Sequence, residues 1–234
     1  MDRDREISFS PPKNLQPVPK RGILAAGGLK SLRQAAPAAK GTDIPLFQES
    51  VSQVTVRPDN FLAGPVLGAP MAVMVLENLI WRGAEEIIFF GLAGSLVPEL
   101  RIGDIFCPAI GLSTEGTSAH YPAPLIPDVN LYRRLLEAGE EIGSPIAKGR
   151  IWTTDGIYRE TVEIVERHRS LGAAAVEMEC TALWAAAAFR RVKLASILVI
   201  SDVLADGEHH VGFGSPEFRR GLKRAAELVW QAVG

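Results

Sequence analysis

The second half of the chain carries two acidic groups at points where buried strands are expected to end. The segment VEMEC places Glu177 and Glu179 around Met178, where an apolar strand meets a helix. A carboxylate near a helix N-terminus is favoured by the helix dipole, and its oxygens can accept two hydrogen bonds from the hydroxyls of a sugar. From these residues alone, Glu179 is explained equally well as a helix cap.

The second acidic group follows the apolar run ILVIS. This run delivers Ser201 and Asp202 to the end of a predicted strand. An acid in that position can be partly desolvated, which raises its pKa toward the range used by general acids. The local pattern fits equally well an aspartate that begins a loop or caps a helix, so both interpretations stay open here.

Two further segments have the composition of loops beside a ligand. In FFGLAGSLVPELRIGDIF, a buried strand runs into Gly91, Ala93 and Gly94, and such small residues let a flat ligand approach the backbone. The segment EGTSAHYPAP is polar and turn-rich, and it contains His120 and Tyr121. Taken alone, the first pattern is typical of a tight strand–loop–strand connection and the second of a surface loop.

Short apolar runs alternate with amphipathic segments along the chain, and these elements must position the acids. We predict strands over residues 87–91, 104–109, 147–153, 174–178 and 195–201, and helices over 71–82, 129–142, 179–190 and 216–233. Ser215 is the expected N-cap of the last helix, with Pro216 at its first position. The strand runs lack polar alternation, which indicates strands covered on both faces and a layered α/β domain. Ligands of such domains collect at strand ends.

Composition narrows the function classes. The chain has 234 residues, of which 47% are hydrophobic and 22% charged, with a formal net charge of −2. This balance favours a folded globule and gives no electrostatic reason to expect nucleic acid or anionic lipid as a partner. Two cysteines cannot build a disulfide framework or a zinc site alone, and no apolar run reaches the ~18 residues of a membrane span. We therefore expect a soluble cytoplasmic protein without a secretory signal.

The domain organisation expected from the sequence is simple. Residues 1–22 are polar and rich in proline, so they are predicted to form an extended N-terminal arm. Residues 23–234 are predicted to form a single domain, because this length fits one large domain better than two small ones.

Several segments, in order, resemble the nucleoside phosphorylase family that includes purine nucleoside phosphorylases, uridine phosphorylases and methylthioadenosine nucleosidases. The likeness runs from about residue 64 to the end of the chain. The segments are GAPMAVMVLENL (68–79), GLAGSLVPELRIGDI (91–105), EGTSAHY (115–121), TTDGIYRE (153–160), VEMEC (176–180) and ISDV (200–203). The resemblance implies an α/β fold of three α/β/α layers around a mixed, partly barrel-like sheet.

The resemblance also implies cleavage of the N-glycosidic bond of a nucleoside. Phosphorylases use phosphate as the nucleophile and nucleosidases use water, and both pass through a transition state that resembles an oxocarbenium ion. By similarity, Glu179 binds the ribose hydroxyls, Met178 packs under the sugar, and Asp202 is the catalytic acid that protonates N7 of a purine leaving group. The residues expected around the base are Ala93, Gly94, Ile157, Tyr158, Glu177 and Ser201.

The phosphate site is where the sequence departs from the family pattern. Phosphorylases of this type carry an arginine two residues before the glycine at position 91 and a serine or threonine just after it, but this chain has Phe89 and Leu92 there. Two apolar side chains cannot hold a dianion. Substitutes for the missing groups are expected in the segment AAGGLKSLR and from a neighbouring subunit. The candidates are Gly27, Lys30, Arg33 and Arg57, with Ser31 where the family has an arginine.

The base pocket favours a purine. Uridine phosphorylases read uracil with a glutamine and an arginine shortly after the segment that matches DGIY, whereas this chain has ETVE at residues 160–163. The predicted N-terminal arm lacks the histidine that many members supply to a neighbour's ribose 5′-hydroxyl. His120, His209 or His210 could contact that end instead, whereas His168, on a charged helical stretch, is expected to be solvated.

Three functions stay open on the sequence. The first is phosphorolysis of a purine-type nucleoside, with inorganic phosphate as co-substrate. The second is hydrolysis by water, which the missing phosphate ligands favour. The cleaved substrate could also be a larger nucleoside whose own groups fill the lost phosphate pocket, with Phe89 and Leu92 lining an apolar extension of the site. The third is a non-catalytic nucleoside-binding protein. No metal and no organic cofactor are expected, because neither a ligand spacing nor a dinucleotide fingerprint is present. The resemblance implies a homo-oligomer, either a dimer, a trimer or a hexamer.

Overall fold

A computed structural model of the protein describes residues 15–37, 41–46, 52–205 and 208–234. Within these ranges ten strands share one mixed sheet and six α-helices accompany it. The strands are β1 (Arg21–Ala25), β2 (Thr42–Pro45), β3 (Gln53–Val56), β4 (Phe61–Gly64), β5 (Glu86–Ser95), β6 (Ile105–Ser113), β7 (Ile146–Thr153), β8 (Ala173–Glu177), β9 (Lys193–Ala205) and β10 (Glu208–Val211). The helices are α1 (Leu29–Ala35), α2 (Ala69–Trp81), α3 (Val129–Glu141), α4 (Val162–Ser170), α5 (Cys180–Phe189) and α6 (Pro216–Val233).

All nine predicted elements are present, with ends shifted by a few residues. Strands β5 to β9 and helices α2, α3, α5 and α6 correspond to the predicted runs. Ser215 caps α6 as expected, since its hydroxyl accepts a hydrogen bond from the backbone N–H of Phe218 at 3.1 Å. The elements not predicted are short or polar, namely β1 to β4, β10, α1 and α4.

Part of the sheet closes on itself. Its strand order is β10-β9-β6-β7-β8-β5-β1-β4-β3-β2, and β9 also pairs with β5. Five strands therefore form a closed barrel, in the order β9, β6, β7, β8 and β5. The remaining strands β1 to β4 continue from β5 as an open sheet. Strands β5 and β9 run parallel over most of their length, with a bulge between Ala93 and Gly94. A bulge in a barrel bends the strand and re-aims the side chains beyond it.

The apolar runs of β5 and β9 face two separate cores. In β5, Ile87 and Phe89 join a core that α2 and α5 cover, whereas Ile88 and Phe90 join a core that α1, α3 and α6 cover. This alternation confirms that the strands are covered on both faces and makes the protein a three-layered α/β/α domain.

The predicted N-terminal arm is described only in part. Residues 1–14 lie outside the described residues. The last two residues of the predicted arm, Arg21 and Gly22, belong to β1, and Val18 is buried against the core. The remainder of the arm stays a prediction.

Candidate active site

A cavity of about 450 Å³ opens where β5, β8 and β9 end. Strands β5 and β9 deliver their carboxyl ends side by side, so this is the edge at which ligands of α/β sheets bind. The predicted residues that line the cavity are Ala93, Gly94, Ile157, Tyr158, Glu177, Met178, Glu179, Ser201 and Asp202. His209, a candidate for the ribose 5′ end, also lines the cavity. The lining residues that were not singled out for the base or the ribose are Ala26, Leu67, Leu92, Glu160, Val176, Leu204 and Phe213.

Glu179 lies at the floor of the cavity and is only 4% exposed. It occupies the residue before α5, but its side chain makes no capping hydrogen bond to that helix. Instead, the backbone N–H of Gly68, just before α2, donates to Glu179 Oε1 at 2.6 Å. Burial and the nearby charge of Glu177 raise the pKa of Glu179 to about 8. The Gly68 N–H thus fixes the carboxyl of Glu179, which lines the cavity.

Glu177 is the residue that caps α5. Its carboxylate accepts hydrogen bonds from the backbone N–H groups of Glu179 at 2.7 Å and Cys180 at 2.8 Å, and from the Thr153 hydroxyl at 2.6 Å. Burial raises the pKa of Glu177 despite these donors. Because both oxygens already have protein partners, Glu177 orients the start of α5, and its predicted contact with the base stays a prediction.

Asp202 stands beside the glycine turn across the β5–β9 pair. The two strands pair Gly94 with Asp202 after the bulge. A Cβ atom on Gly94 would lie 2.9 Å from Asp202 Oδ2 and 2.8 Å from a methyl carbon of Leu204, so only glycine lets the carboxylate come this close. Ser201 Oγ donates to Asp202 Oδ1 at 2.5 Å, and His209 Nε2 lies 2.9 Å from Oδ2.

Glu160 is a cavity carboxyl whose role the sequence analysis did not identify. Burial and the charge of Asp202 raise its pKa to about 7, and the neighbouring His209 opposes this rise. No described residue donates a hydrogen bond to its carboxylate. The signal for Glu160 was its place in the segment TTDGIYRE, directly after the predicted base wall. His209 lies in a short polar segment that follows ISDV in the sequence. This segment forms β10, and its pairing with β9 leaves no pattern in the local sequence.

The predicted phosphate ligands are not brought into the cavity. Gly27, Arg33 and Arg57 are not among its lining residues. Leu92 does line it, and a Cβ atom on Gly27 would lie 3.0 Å from the Leu92 side chain. Phe89 is fully buried in the core, so the expectation that it contacts a ligand is wrong. An apolar leucine thus faces the region where the family pattern has a hydroxyl.

Arg57 lies inside its own protomer. Its residue is 8% exposed, and its guanidinium carbon stacks 4.7 Å from the centre of the Trp230 ring. Burial and the charge of Arg33 lower its pKa, while Asp43 opposes this effect. The guanidinium thus packs against Trp230 of its own protomer, and its contribution to a neighbouring subunit's phosphate site stays a prediction.

The loop EGTSAHY packs against α5, the helix that follows Glu179, and does not itself line the cavity. Glu115 is buried and accepts hydrogen bonds from the hydroxyl of Thr181 at 3.0 Å and from the backbone N–H of Ser118. Burial alone would raise the pKa of Glu115, but hydrogen bonds from Ser118, Ser113 and Thr181 outweigh it and hold the pKa low. The loop is thereby fastened to α5, while His120 is exposed and does not line the cavity.

Two other histidine predictions have clear outcomes. The expectation that His168 is solvated is wrong, because its ring stacks on Trp152 with centroids 3.9 Å apart and Nδ1 lies 2.8 Å from the carbonyl oxygen of Ile164. Its burial on α4 follows from the apolar side of that helix, which the charged neighbours conceal in the sequence. His210 points away from the cavity and pairs with Glu208.

The described part of the chain holds no candidate metal cluster and no candidate membrane-spanning helix. There, no three His, Cys, Asp or Glu residues are grouped so that they could hold a metal ion. Among the helices of these ranges, none combines the length and the apolar character needed to span a bilayer.

Comparison with known proteins agrees with this architecture. The family model described as the phosphorylase superfamily matches residues 20–234, so it reaches further toward the N-terminus than the likeness read from motifs. A guanosine phosphorylase of Halorubrum lacusprofundi is 28% identical over 174 residues, which cover 71% of this chain and 72% of that protein. A DeoD-type purine nucleoside phosphorylase of Bacillus cereus is 30% identical over 151 residues, 62% of this chain. The match spans 64% of that relative, just under two thirds of its length.

A solved structure shares the fold. The purine nucleoside phosphorylase of Toxoplasma gondii, in complex with immucillin-H, superposes with a TM-score of 0.80 over 92% of this chain and 90% of that one. At 20% identity this likeness establishes the fold alone. The predicted three-layer α/β/α fold with a partly barrel-like sheet is confirmed.

Proposed function

Because the chain belongs to the phosphorylase superfamily, we propose that it cleaves the N-glycosidic bond of a purine nucleoside by phosphorolysis, releasing the base and a pentose 1-phosphate. The observation that carries this proposal is the convergence of Glu179 and Asp202 in one cavity of about 450 Å³. That volume accommodates a nucleoside. The names of the relatives, guanosine phosphorylase and purine nucleoside phosphorylase, support the same activity.

Glu179 binds the ribose in this proposal. One oxygen is held by Gly68, so the carboxylate has a fixed orientation toward the cavity. Two vicinal hydroxyls can both donate to a carboxylate, and these bonds strengthen as the ring gains positive charge in the transition state. Met178, next to Glu179 in the lining, supplies an apolar surface against the sugar.

Asp202 and Glu160 recognise the base. Asp202 is the general acid at N7, because protonation there turns the purine into a neutral leaving group. Glu160 has no donor among the described residues, so it is a free acceptor close to Asp202. A 6-oxopurine carries an N1–H donor, whereas adenine has an acceptor at that atom. In its ionised form this carboxyl accepts from N1–H and so favours guanosine or inosine over adenosine, with Ile157 and Tyr158 as the wall against which the base packs.

The nucleophile distinguishes two candidate activities. Family membership supports phosphate, but the position of Leu92 favours water as the alternative nucleophile. An apolar side chain in the cavity wall offers no hydrogen bond to a phosphate dianion. A neutral water molecule tolerates such a neighbour better, because it carries no charge that must be compensated. Hydrolysis to free ribose is therefore the second candidate, and a nucleoside-binding protein without turnover is the third.

The test is release of base from inosine, guanosine, adenosine and uridine, each with and without inorganic phosphate. We expect release from the two 6-oxopurine nucleosides only with phosphate, and ribose 1-phosphate as the sugar product. Phosphate-independent release with free ribose would establish the hydrolase instead. Saturable binding without any release would establish a binding protein, and cleavage of uridine alone would overturn the assignment of a purine substrate.

The variant Leu92→Thr tests the nucleophile subsite directly. A threonine restores a hydroxyl at the position where the family has one, and we expect it to lower the KM for phosphate. The matched control is Leu67→Thr, which places the same side chain at an exposed position of the cavity rim. An equal effect of both variants would contradict a phosphate subsite at Leu92.

We further propose a cytoplasmic homo-oligomer that uses phosphate as co-substrate and needs no organic cofactor. Apolar side chains at the rim support assembly, since Leu67 is 74% exposed and Tyr158 is 97% exposed. Exposed apolar patches of this kind mark interaction surfaces. Light scattering on the purified protein tests this, and the mass of a monomer at micromolar concentration would contradict it.

A further inference from the structure

His209 forms a bridge between Asp202 and solvent. Strand β10 pairs antiparallel with β9 and opposes Val211 to Asp202, which brings His209 over the carboxylate. His209 Nε2 lies 2.9 Å from Asp202 Oδ2, and the imidazole side chain is 55% exposed while that of Asp202 is 16% exposed. The other oxygen of Asp202 is engaged by the Ser201 hydroxyl. The imidazole is therefore the more solvent-exposed partner of this acid.

A second cavity lies behind the histidine. It has a volume of about 100 Å³ and shares Glu160, Leu204 and His209 with the larger cavity. The charged groups that face His209 from the surrounding elements are Asp202 of β9, Glu160 before α4, Glu166 and Arg169 of α4, and Glu208 of β10. A space of this size with charged side chains in its lining has room for a few water molecules. The imidazole thus lines the substrate cavity and this second, smaller cavity.

We propose that His209 supplies Asp202 with the proton that the leaving purine takes in each turnover. This proposal rests on the proposed function. It makes His209 a residue that acts through Asp202 and assigns no contact between the imidazole and the nucleoside. Nothing in the motifs shared with the family required a histidine at this position, which became visible through the β9–β10 pairing.

The proton and electron balance of the step closes. The Asp202 O–H bond breaks as N7–H forms on the purine, and the N9–C1′ electron pair moves into the base while a phosphate oxygen bonds to C1′. The Nε2–H bond of protonated His209 then breaks as the Asp202 O–H bond forms again. The imidazole regains a proton from water, and the hydrogen phosphate loses one to water, so no net proton is consumed.

The experiment compares His209→Gln with the wild-type enzyme on two substrates. Glutamine keeps a side-chain donor near Asp202 but cannot carry a proton between solvent and the acid. Inosine needs protonation at N7, whereas 7-methylinosine already carries a methyl group and a positive charge there. We expect kcat for inosine to fall by about 100-fold, at the lower end of the range for lost proton transfer, with KM nearly unchanged. With 7-methylinosine, kcat should stay within about twofold of the wild type.

A matched control and a rescue complete the design. His210→Gln changes the adjacent histidine of the same strand, which pairs with Glu208 outside the substrate cavity. This variant should keep wild-type kcat on both substrates. Added imidazole should restore inosine cleavage by His209→Gln in a concentration-dependent manner, since a free imidazole can replace the missing proton carrier.

The outcomes are separable from those of the proposed function. If the wild-type enzyme cleaves neither substrate, the proposed function fails. If it cleaves both and His209→Gln cleaves inosine at the wild-type rate, the inference is wrong. Equal losses on inosine and 7-methylinosine without imidazole rescue would also overturn it, because they would make His209 a purely structural support of Asp202.

Discussion

Replacing Glu179 by glutamine should remove a specific pH dependence from the stability of the protein. Burial raises the pKa of Glu179 to about 8, above the ordinary value of 4.5. When the pKa of a carboxyl group is higher in the folded than in the unfolded protein, the group stabilises the fold fully at pH values below its unfolded-state pKa. This stabilisation is lost as the pH rises through its folded-state pKa. In that window the folded state holds about one proton more than the unfolded state.

The size of the effect follows from this proton difference. One extra proton in the folded state lowers the free energy of unfolding by about 1.4 kcal/mol per pH unit. Between about pH 5.5 and about pH 7.5, the wild type should therefore lose about 2 to 3 kcal/mol from this group. Glutamine cannot ionise, yet its amide oxygen can still accept from the Gly68 N–H. Glu179→Gln should consequently lose about 2 to 3 kcal/mol less over the same interval, because Glu160 and Glu177, whose pKa values are also raised, stay in both proteins.

The assay is urea unfolding of wild type, Glu179→Gln and the control Glu163→Gln at both pH values. Glu163 is exposed in the first turn of α4, so its replacement removes one carboxyl without touching the cavity. We expect Glu163→Gln to follow the wild type and Glu179→Gln to differ from it. Superimposable pH dependence of all three proteins would refute the raised pKa.

The same carboxyl links proton release to ligand binding. Two ribose hydroxyls that donate to Glu179 favour its ionised form and lower its pKa. Binding of an uncleavable C-nucleoside near neutral pH should therefore release a proton from Glu179. Calorimetry in two buffers with different ionisation enthalpies would detect this release, and identical apparent enthalpies in both buffers would contradict it.

Three further substitutions test the site and its support. Asp202→Asn should lower kcat for inosine by ~10²–10⁴-fold, as expected for loss of a general acid, and a rate within about twofold of wild type would remove it from the mechanism. Gly94→Ala should lower kcat by about tenfold or more, because the new Cβ displaces the Asp202 carboxylate. Gly116→Ala, where a Cβ meets nothing within 4 Å, is its control and should be neutral in the same base-release assay. His168→Ala should reduce the free energy of unfolding by about 1–3 kcal/mol in urea titration, because the stack on Trp152 is lost; unchanged stability would show that the stack contributes nothing.

The sequence predicted the central elements because their burial dictates their composition. Strands β5 and β9 are covered on both faces, so they read as continuous apolar runs. The hairpin strands β2 and β3 escaped prediction because they are short and partly exposed. Their pairing depends on contacts across the sheet, and these leave no periodic pattern in so few residues.

The part of the candidate site that could be predicted consists of the residues placed by the ends of buried strands. Asp202 and Glu179 were expected at such ends, and the structure brings both into one cavity. The motif VEMEC could not show which of its two glutamates caps α5, because that choice depends on where Gly68 and Thr153 approach. The partner of Asp202 was hidden for a similar reason, since His209 reaches it only through the β9–β10 pairing.

Because only some strands around the site belong to the closed barrel, the barrel strands and the outer strand β10 resist local unfolding to different degrees. Strands β5, β8 and β9 belong to the barrel, so Asp202 and the end of β8, from which Glu179 follows by two residues, stay together unless the barrel opens. Strand β10 is an outer strand of four exposed residues, bonded on one side to β9 alone. Such an edge opens at far lower free energy than a core strand. Its backbone amides should exchange with solvent deuterium well before those of β5, so His209 can leave and return while the pocket beneath it keeps its shape.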